Sequence, residues 1–193
     1  KFYLWYGFVV IFGLVTMAFV VYPLIVKAMT GMGFGKFLGG VRDAQITAFS
    51  TSSSVATLPV TMDCLENKIG ASKSTASFVL PIGATVNMDG TSLYQAAAVV
   101  AMAQFHMIDL SIAQQAIIVG TATLASIGAA AIPSAGLVLM MVVLESVGLN
   151  PAWIAIIFPI DRILDMCRTV VNVTGDATVT TIIAKSEDEL ISE

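Results

Sequence analysis

Asp161-Arg162-Ile163-Leu164-Asp165-Met166-Cys167-Arg168-Thr169-Val170-Val171-Asn172-Val173-Thr174-Gly175-Asp176 lies inside an otherwise apolar run. Its polar members Asp161, Asp165, Arg168, Asn172 and Asp176 are spaced by 4, 3, 4 and 4 residues. At ~100° per residue they fall within an arc of roughly 80° on one helical face, so the stripe is ionic and most of the rest is apolar. Ionisable groups inside a membrane cost about 2.5–3.5 kcal/mol each on insertion scales, so a stripe of them requires partners or a wet cavity. Asp161, Asp165 and Asp176 outnumber Arg168, Asp89 adds a further negative charge, and Arg162 just outside the stripe offsets one. A pocket built from these groups attracts cations.

The whole chain agrees with a bilayer setting. Hydrophobic residues make up 57% and charged residues 11%, against about 25% charged in an average soluble domain; mean hydropathy is +0.90. The runs 2–26 and 116–144 carry no charge, and uncharged apolar stretches of about 18 residues or more read as membrane spans. The opening run is longer than a signal-peptide core and lacks a small-residue cleavage site, and the first residue is Lys1, so the chain reads as a piece of something longer. Cys64 and Cys167 lie far apart without metal-ligand company and read as packing residues; His106 reads as a loop or interface residue. The formal charge of −4 owes much to the tail acids Glu187, Asp188, Glu189 and Glu193, and no basic patch interleaved with aromatics exists, which excludes nucleic acid as a partner.

Apolar length and helix breakers divide the chain into five segments and a tail. Residues 1–30 read as one plain spanning helix with an aromatic start and Lys27 near its end. Residues 35–66 break at Ser50-Thr51-Ser52-Ser53-Ser54 into arms too short to cross ~30 Å of hydrocarbon, which predicts a re-entrant hairpin. Residues 75–105 are interrupted at Asn87-Met88-Asp89-Gly90, which predicts an unwound helix. Residues 111–147 repeat the hairpin pattern, with the small-residue tip Ser126 to Gly136, and residues 151–185 repeat the interrupted helix, with Gly175 near the break. Residues 186–193 form an acidic tail. Two hairpins, each followed by an interrupted helix bearing an Asn and an Asp, predict an all-α integral membrane fold, an inverted-repeat transport domain plus one plain spanning helix.

From the residues alone, Arg168 suits either of two roles: a partner of Asp165 or Asp161, or a guanidinium fork for a substrate carboxylate. The serines of the first tip read equally as satisfying helix-end backbone groups.

The motifs Ser52-Ser53-Ser54-Val55-Ala56-Thr57-Leu58-Pro59, Asn87-Met88-Asp89-Gly90-Thr91, the tip Ser126 to Gly136 and the stretch Asp165 to Asp176 together resemble the dicarboxylate/amino acid:cation symporter family, which includes excitatory amino acid transporters and archaeal aspartate transporters. The resemblance covers nearly the whole chain, as helix six, hairpin one, helix seven, hairpin two and helix eight of that fold; the N-terminal scaffold helices are absent. It implies a secondary active symporter of aspartate or glutamate, coupled to sodium or to protons by elevator-type alternating access, in the cell membrane, with the lipid bilayer around it and a homotrimer formed through the scaffold. It further implies that Arg168 binds the substrate side-chain carboxylate and Asp165 its amino group. Asn172, Thr169 and Thr91 bind the remaining polar atoms, with the backbone around Ser53 and Ser54 on one tip and Ile132 to Gly136 on the other. Two to three sodium ions follow from the same resemblance: one at Gly83, Asn87, Asn172 and Asp176, a second at carbonyls of Thr85, Ser126, Ile127 and Ala129 near Met88, and a third at Asp89 with Asn87, completed outside this chain. Oxygen-rich cages of this kind suit hard cations. Two positions depart from the family pattern: Ser52 and Met166 stand where members usually carry an extra arginine at one or the other.

Two other classes compete. An intramembrane aspartyl protease would use Asp89 and Gly175-Asp176, but leaves Arg168, Asp165 and Asn172 without a task. An ion channel would use the same helix breaks, and conduction that needs no substrate would reveal it.

Overall fold

The computed structural model describes residues 2–129 and 131–190. Lys1, Ala130 within the second tip, and 191–193 at the end of the tail lie outside the described residues. The chain is helical: α1 (Phe2–Thr16) continues through a π turn (Met17–Val21) into α2 (Tyr22–Thr30), followed by α3 (Phe34–Thr51), α4 (Ser54–Cys64) with a π turn at Leu65–Ile69, α5 (Lys73–Val86), α6 (Asp89–Phe105), α7 (Ile112–Ile127), α8 (Ala135–Ser146), a 3-10 turn (Pro151–Trp153) and α9 (Ile154–Ser186). The stretch Phe2–Thr30 is long and apolar enough to cross a membrane.

That first stretch departs from the plain helix expected. Its buried residues Tyr6, Val10, Leu14, Ala18, Tyr22 and Val26 recur every fourth position. In an unbroken α-helix a period of four drifts by ~40° per step, or ~200° from Tyr6 to Val26. One residue accommodated in the π turn takes back roughly 100°. Pro23 gives a local reason for the turn, because its ring lacks the N–H that an α register would need. The Tyr22 N–H instead bonds the Met17 carbonyl, five residues back.

Helices α3 and α4 double back on each other. The Thr51 and Thr57 hydroxyls meet at 3.1 Å near the turn, Lys68 pairs with Asp43, and Gly40 leaves room for Ile69, whose Cδ1 lies 2.4 Å from where a Cβ would stand. The turn rests on Ser52 in the left-handed region (φ 51°) and on Ser53, whose hydroxyl caps α4 by accepting from the Ala56 N–H. Helices α7 and α8 pack similarly, with the Thr121 and Ser146 hydroxyls 3.1 Å apart, and α7 opens with a Ser111/Gln114 capping box.

The break between α5 and α6 falls at Asn87 and Met88, as expected. The free N–H of Gly90 in the first turn of α6 bonds the Asn172 side-chain oxygen at 2.8 Å, so a residue of α9 satisfies what the break leaves open.

The second interruption, expected in 151–185, does not occur: α9 runs unbroken for 33 residues. Gly175 sits inside it for want of space. A Cβ there would lie 2.6 Å from the Asn87 side-chain nitrogen and 2.8 Å from the Tyr22 hydroxyl. Two apolar clusters flank this helix. One joins α1, α6, α7 and α8 to Ile157, Leu164 and Val171; the other joins α2 to α5 with Val173, Ala177 and Ala184. Beyond α9, the Ser72 N–H bonds the Glu189 carbonyl, and the Ser72 and Thr75 hydroxyls donate to the Glu189 carboxylate, holding it below the usual carboxylate range.

Candidate functional site

The polar stripe of α9 lies where the two apolar clusters meet. Thr169 and Asn172 face a cavity with Asp165. The turn between α3 and α4 contributes Ser52 and Ser54 to its wall, and the α5–α6 break contributes Met88 and Thr91. The turn between α7 and α8 closes it with Ala129, Ala131, Ile132 and Gly136. The cavity measures about 20 Å³, room for about one water. Larger clefts of about 190 and 430 Å³ lie on outer faces and are walled mostly by apolar side chains, without the convergence of polar groups found here.

The two tips are fastened shut. The Ser53 hydroxyl donates to the Ala131 carbonyl at 2.7 Å, so Ser53 joins tip to tip while its neighbours Ser52 and Ser54 line the cavity. The Ser134 N–H donates to Asp165 Oδ2 at 2.9 Å, and the Gln95 amide donates to the Gly136 carbonyl at 2.8 Å. Gly136 is required by contact, since a Cβ would lie 2.6 Å from the Thr91 methyl.

Arg168 is 1% exposed and stands behind the cavity wall. One terminal nitrogen donates to Asp161 Oδ1 at 3.0 Å and the other to Asp165 Oδ1 at 2.6 Å. The guanidinium carbon sits 3.8 Å from the centre of the Tyr94 ring, and the Tyr94 hydroxyl donates to Asp161 Oδ1 at 2.7 Å. The internal-partner role is therefore the one Arg168 holds in this arrangement. Its Nε, buried, has no partner among the described residues. Arg162 is half exposed and 3.7 Å from Asp165 Oδ2.

Around the break, Gly83, Asn87, Asn172 and Asp176 converge. The Asn87 side-chain nitrogen donates to Asp176 Oδ1 at 2.9 Å and to the Asn172 carbonyl at 3.4 Å. Gly83 faces the same carboxylate, 2.6 Å from where its Cβ would be. The Asn172 amide reaches Met88 Sδ and the Thr91 hydroxyl at 3.3 and 3.4 Å. Asp176 is 3% exposed and has no salt-bridge partner among the described residues. A buried carboxylate without a cationic partner among the described residues, with the Asn87 side-chain amide and the Asn172 carbonyl close by, fits a hard cation once the amide presents its oxygen. Asp89 is exposed, and its Oδ2 accepts from the Tyr22 hydroxyl at 2.6 Å.

The second cation set is only partly assembled. Met88 and Ala129 face the cavity. Ser126 is buried and turns its hydroxyl to the Thr123 carbonyl, while Thr85 and Ile127 are exposed and outside the cavity wall.

Residues 1–186 match the profile of the Sodium:dicarboxylate symporter family. The chain belongs to that family. Among its relatives, Excitatory amino acid transporter 1 of Rattus norvegicus is 50% identical over 172 residues, covering 89% of this chain and 32% of that protein. Excitatory amino acid transporter 4 of the same animal is 49% identical over 172 residues, with 89% and 31% covered. An Excitatory amino acid transporter of Caenorhabditis elegans is 46% identical over 172 residues, with 89% and 34% covered. The chain thus spans about a third of the length of the curated relatives it matches.

In this sodium:dicarboxylate symporter family member, sequence reasoning passed over Tyr22, Tyr94 and Gln95, and placed Ala131 in the second tip without its bond to Ser53. The two tyrosines and the glutamine carried a usable signal. A hydroxyl or amide inside an apolar segment needs a partner; for the tyrosines the candidates were the aspartates of α9 and the break, whereas Gln95 finds the Gly136 carbonyl. Ala131 offers only a backbone carbonyl, which no side-chain pattern reveals.

Proposed function

We propose that this chain forms the substrate- and ion-binding part of a sodium-coupled symporter of acidic amino acids, aspartate or glutamate, in the cell membrane. The observation that carries the reading is the pairing of a buried Asp176, without a salt-bridge partner among the described residues and beside the α5–α6 break, with a polar cavity closed by two tips. In this reading α3–α4 and α7–α8 are re-entrant hairpins, the two halves are inverted repeats despite the unbroken α9, and the protein works as a homotrimer by elevator-type alternating access. The units are 1–30, 35–66, 75–105, 111–147 and 151–185, followed by the tail 186–193. The aspartyl-protease alternative loses support because Asp89 and Asp176 each bond a different neutral partner.

Substrate entry in this reading is an exchange of partners. A cavity of about 20 Å³ admits no free amino acid, so the α7–α8 tip must lift, releasing Ser134 from Asp165 and Ala131 from Ser53. The substrate ammonium then takes the place of Arg168 on Asp165, and the substrate side-chain carboxylate takes the place of Asp165 on Arg168. One internal ion pair is traded for two intermolecular ones, so neither buried charge is left uncompensated. Thr91, Thr169 and Asn172, with the backbone at Ser53, Ser54 and from Ile132 to Gly136, hold the remaining atoms. Two to three sodium ions enter as cargo: one at Gly83, Asn87, Asn172 and Asp176, one near Met88 at carbonyls of Thr85, Ser126, Ile127 and Ala129, and one at Asp89. For the first, the Asn87 amide must turn its oxygen toward Asp176.

The test is sodium-dependent thermal stabilisation and aspartate binding of the full-length protein carrying Asp176→Asn or Asp89→Asn. Each substitution is expected to raise the sodium midpoint at least about tenfold while leaving the order of preference among amino acids intact. An unchanged midpoint in both would remove the ion-binding assignment.

A further inference from the structure

Tyr22 is a buried phenol on α2 whose partner lies 67 residues away, across the fold, at the start of α6: its hydroxyl donates to Asp89 Oδ2 at 2.6 Å. Two features of the chain bring it there. The π turn at Met17–Val21 sets the helix back by about one residue and keeps Tyr22 on the buried face with Leu14 and Ala18. Gly175 on α9 leaves a gap into which both the Tyr22 hydroxyl and the Asn87 amide fit, 2.8 and 2.6 Å from the place a Cβ would occupy. Neither feature is needed to pack a tyrosine in an apolar core. Both are needed to set this hydroxyl between the α5–α6 break and the Asp176 turn of α9.

The two oxygens of Asp89 differ. Oδ2 is held by Tyr22, whereas Oδ1 accepts no hydrogen bond among the described residues, and the residue is exposed. A carboxylate fixed through one oxygen presents the other in a set direction, which is how outer partners orient metal-binding carboxylates. The phenol donates to a charged acceptor, the stronger kind of hydrogen bond.

We propose that Tyr22 is a positioning residue for sodium at Asp89, holding one carboxylate oxygen so that the other is aimed at the ion. The inference rests on the reading of Asp89 as a cation ligand. Tyr22→Phe removes the hydroxyl and keeps the ring. The probe is sodium chloride, titrated against choline chloride at constant ionic strength, and the readout is the sodium midpoint for thermal stabilisation of the full-length protein. Tyr22→Phe should raise that midpoint about tenfold, leave aspartate affinity at saturating sodium unchanged, and add nothing further in an Asp89→Asn background. A midpoint unmoved by Tyr22→Phe but moved by Asp89→Asn overturns the inference and spares the ion-binding reading. A midpoint moved by neither overturns both. A shift of the same size with and without Asp89 also overturns the inference, because the hydroxyl then acts elsewhere.

Discussion

Gly175→Ala tests the central packing of the site, and its sign runs against ordinary expectation. Alanine in place of glycine inside a helix normally gains ~1 kcal/mol. At 175 the new Cβ would stand 2.6 Å from the Asn87 nitrogen, 2.8 Å from the Tyr22 oxygen and 3.1 Å from the ring carbon bearing it. At least one of the two polar groups has to move, and each is engaged: Asn87 with Asp176 at 2.9 Å, Tyr22 with Asp89 at 2.6 Å. A hydrogen bond lost to a charged group costs about 1.5–3 kcal/mol, and overpacking adds about 1–3 kcal/mol. With one bond lost, and the propensity gain subtracted, the net is a destabilisation of about 1.5–5 kcal/mol. Denaturant unfolding of the detergent-solubilised protein measures it. Gly120→Ala on α7, with nothing within 4 Å of the added carbon, is the matched control and should be neutral or slightly stabilising. A Gly175→Ala protein as stable as the control would refute the claim that this glycine exists to admit Asn87 and Tyr22.

Arg168→Cys removes the partner of two buried carboxylates, Asp161 and Asp165, and should destabilise the empty protein by about 3–5 kcal/mol. The folded fraction should lose acidic substrates and bind small neutral amino acids such as serine or alanine, whereas retained aspartate preference in competition binding would rule out the carboxylate role. Ser53→Ala breaks the side-chain bond to the Ala131 carbonyl that joins the tips and should raise the rate of cysteine labelling at an Ala131→Cys site in the absence of substrate; saturating sodium and aspartate should slow that labelling in the parent. Equal labelling in all states would mean the α7–α8 tip does not open.

Much of the site was legible because membrane insertion leaves few reasons for a polar group to be present. Asp161, Asp165, Arg168, Asn172 and Asp176 stood out by spacing alone, and the break at Asn87-Met88 and the turns at Ser52 and after Ile127 followed from runs of residues that cannot bury cheaply as helix. Local sequence determines such features because they depend on near neighbours: the period of a helix face, a capping serine, a change of composition.

Tertiary structure decided what depends on distant partners. Gly175 reads as a break from its neighbours and proves to be a gap for Tyr22 and Asn87, which arrive from residues 153 and 88 positions earlier in the chain. Arg168 offered two roles; Asp161 and Asp165 lie within two turns of it on α9, and the Tyr94 ring brought in from α6 covers the guanidinium and bonds Asp161, so the internal role holds in this arrangement. The period-four stripe of the first helix was present in the sequence, but whether a helix tolerates the drift or widens a turn to cancel it depends on what waits across the interface, here Asp89. Propensity and spacing are set within a few residues of chain, whereas excluded volume and the pairing of buried charge are set by whichever atoms folding brings alongside.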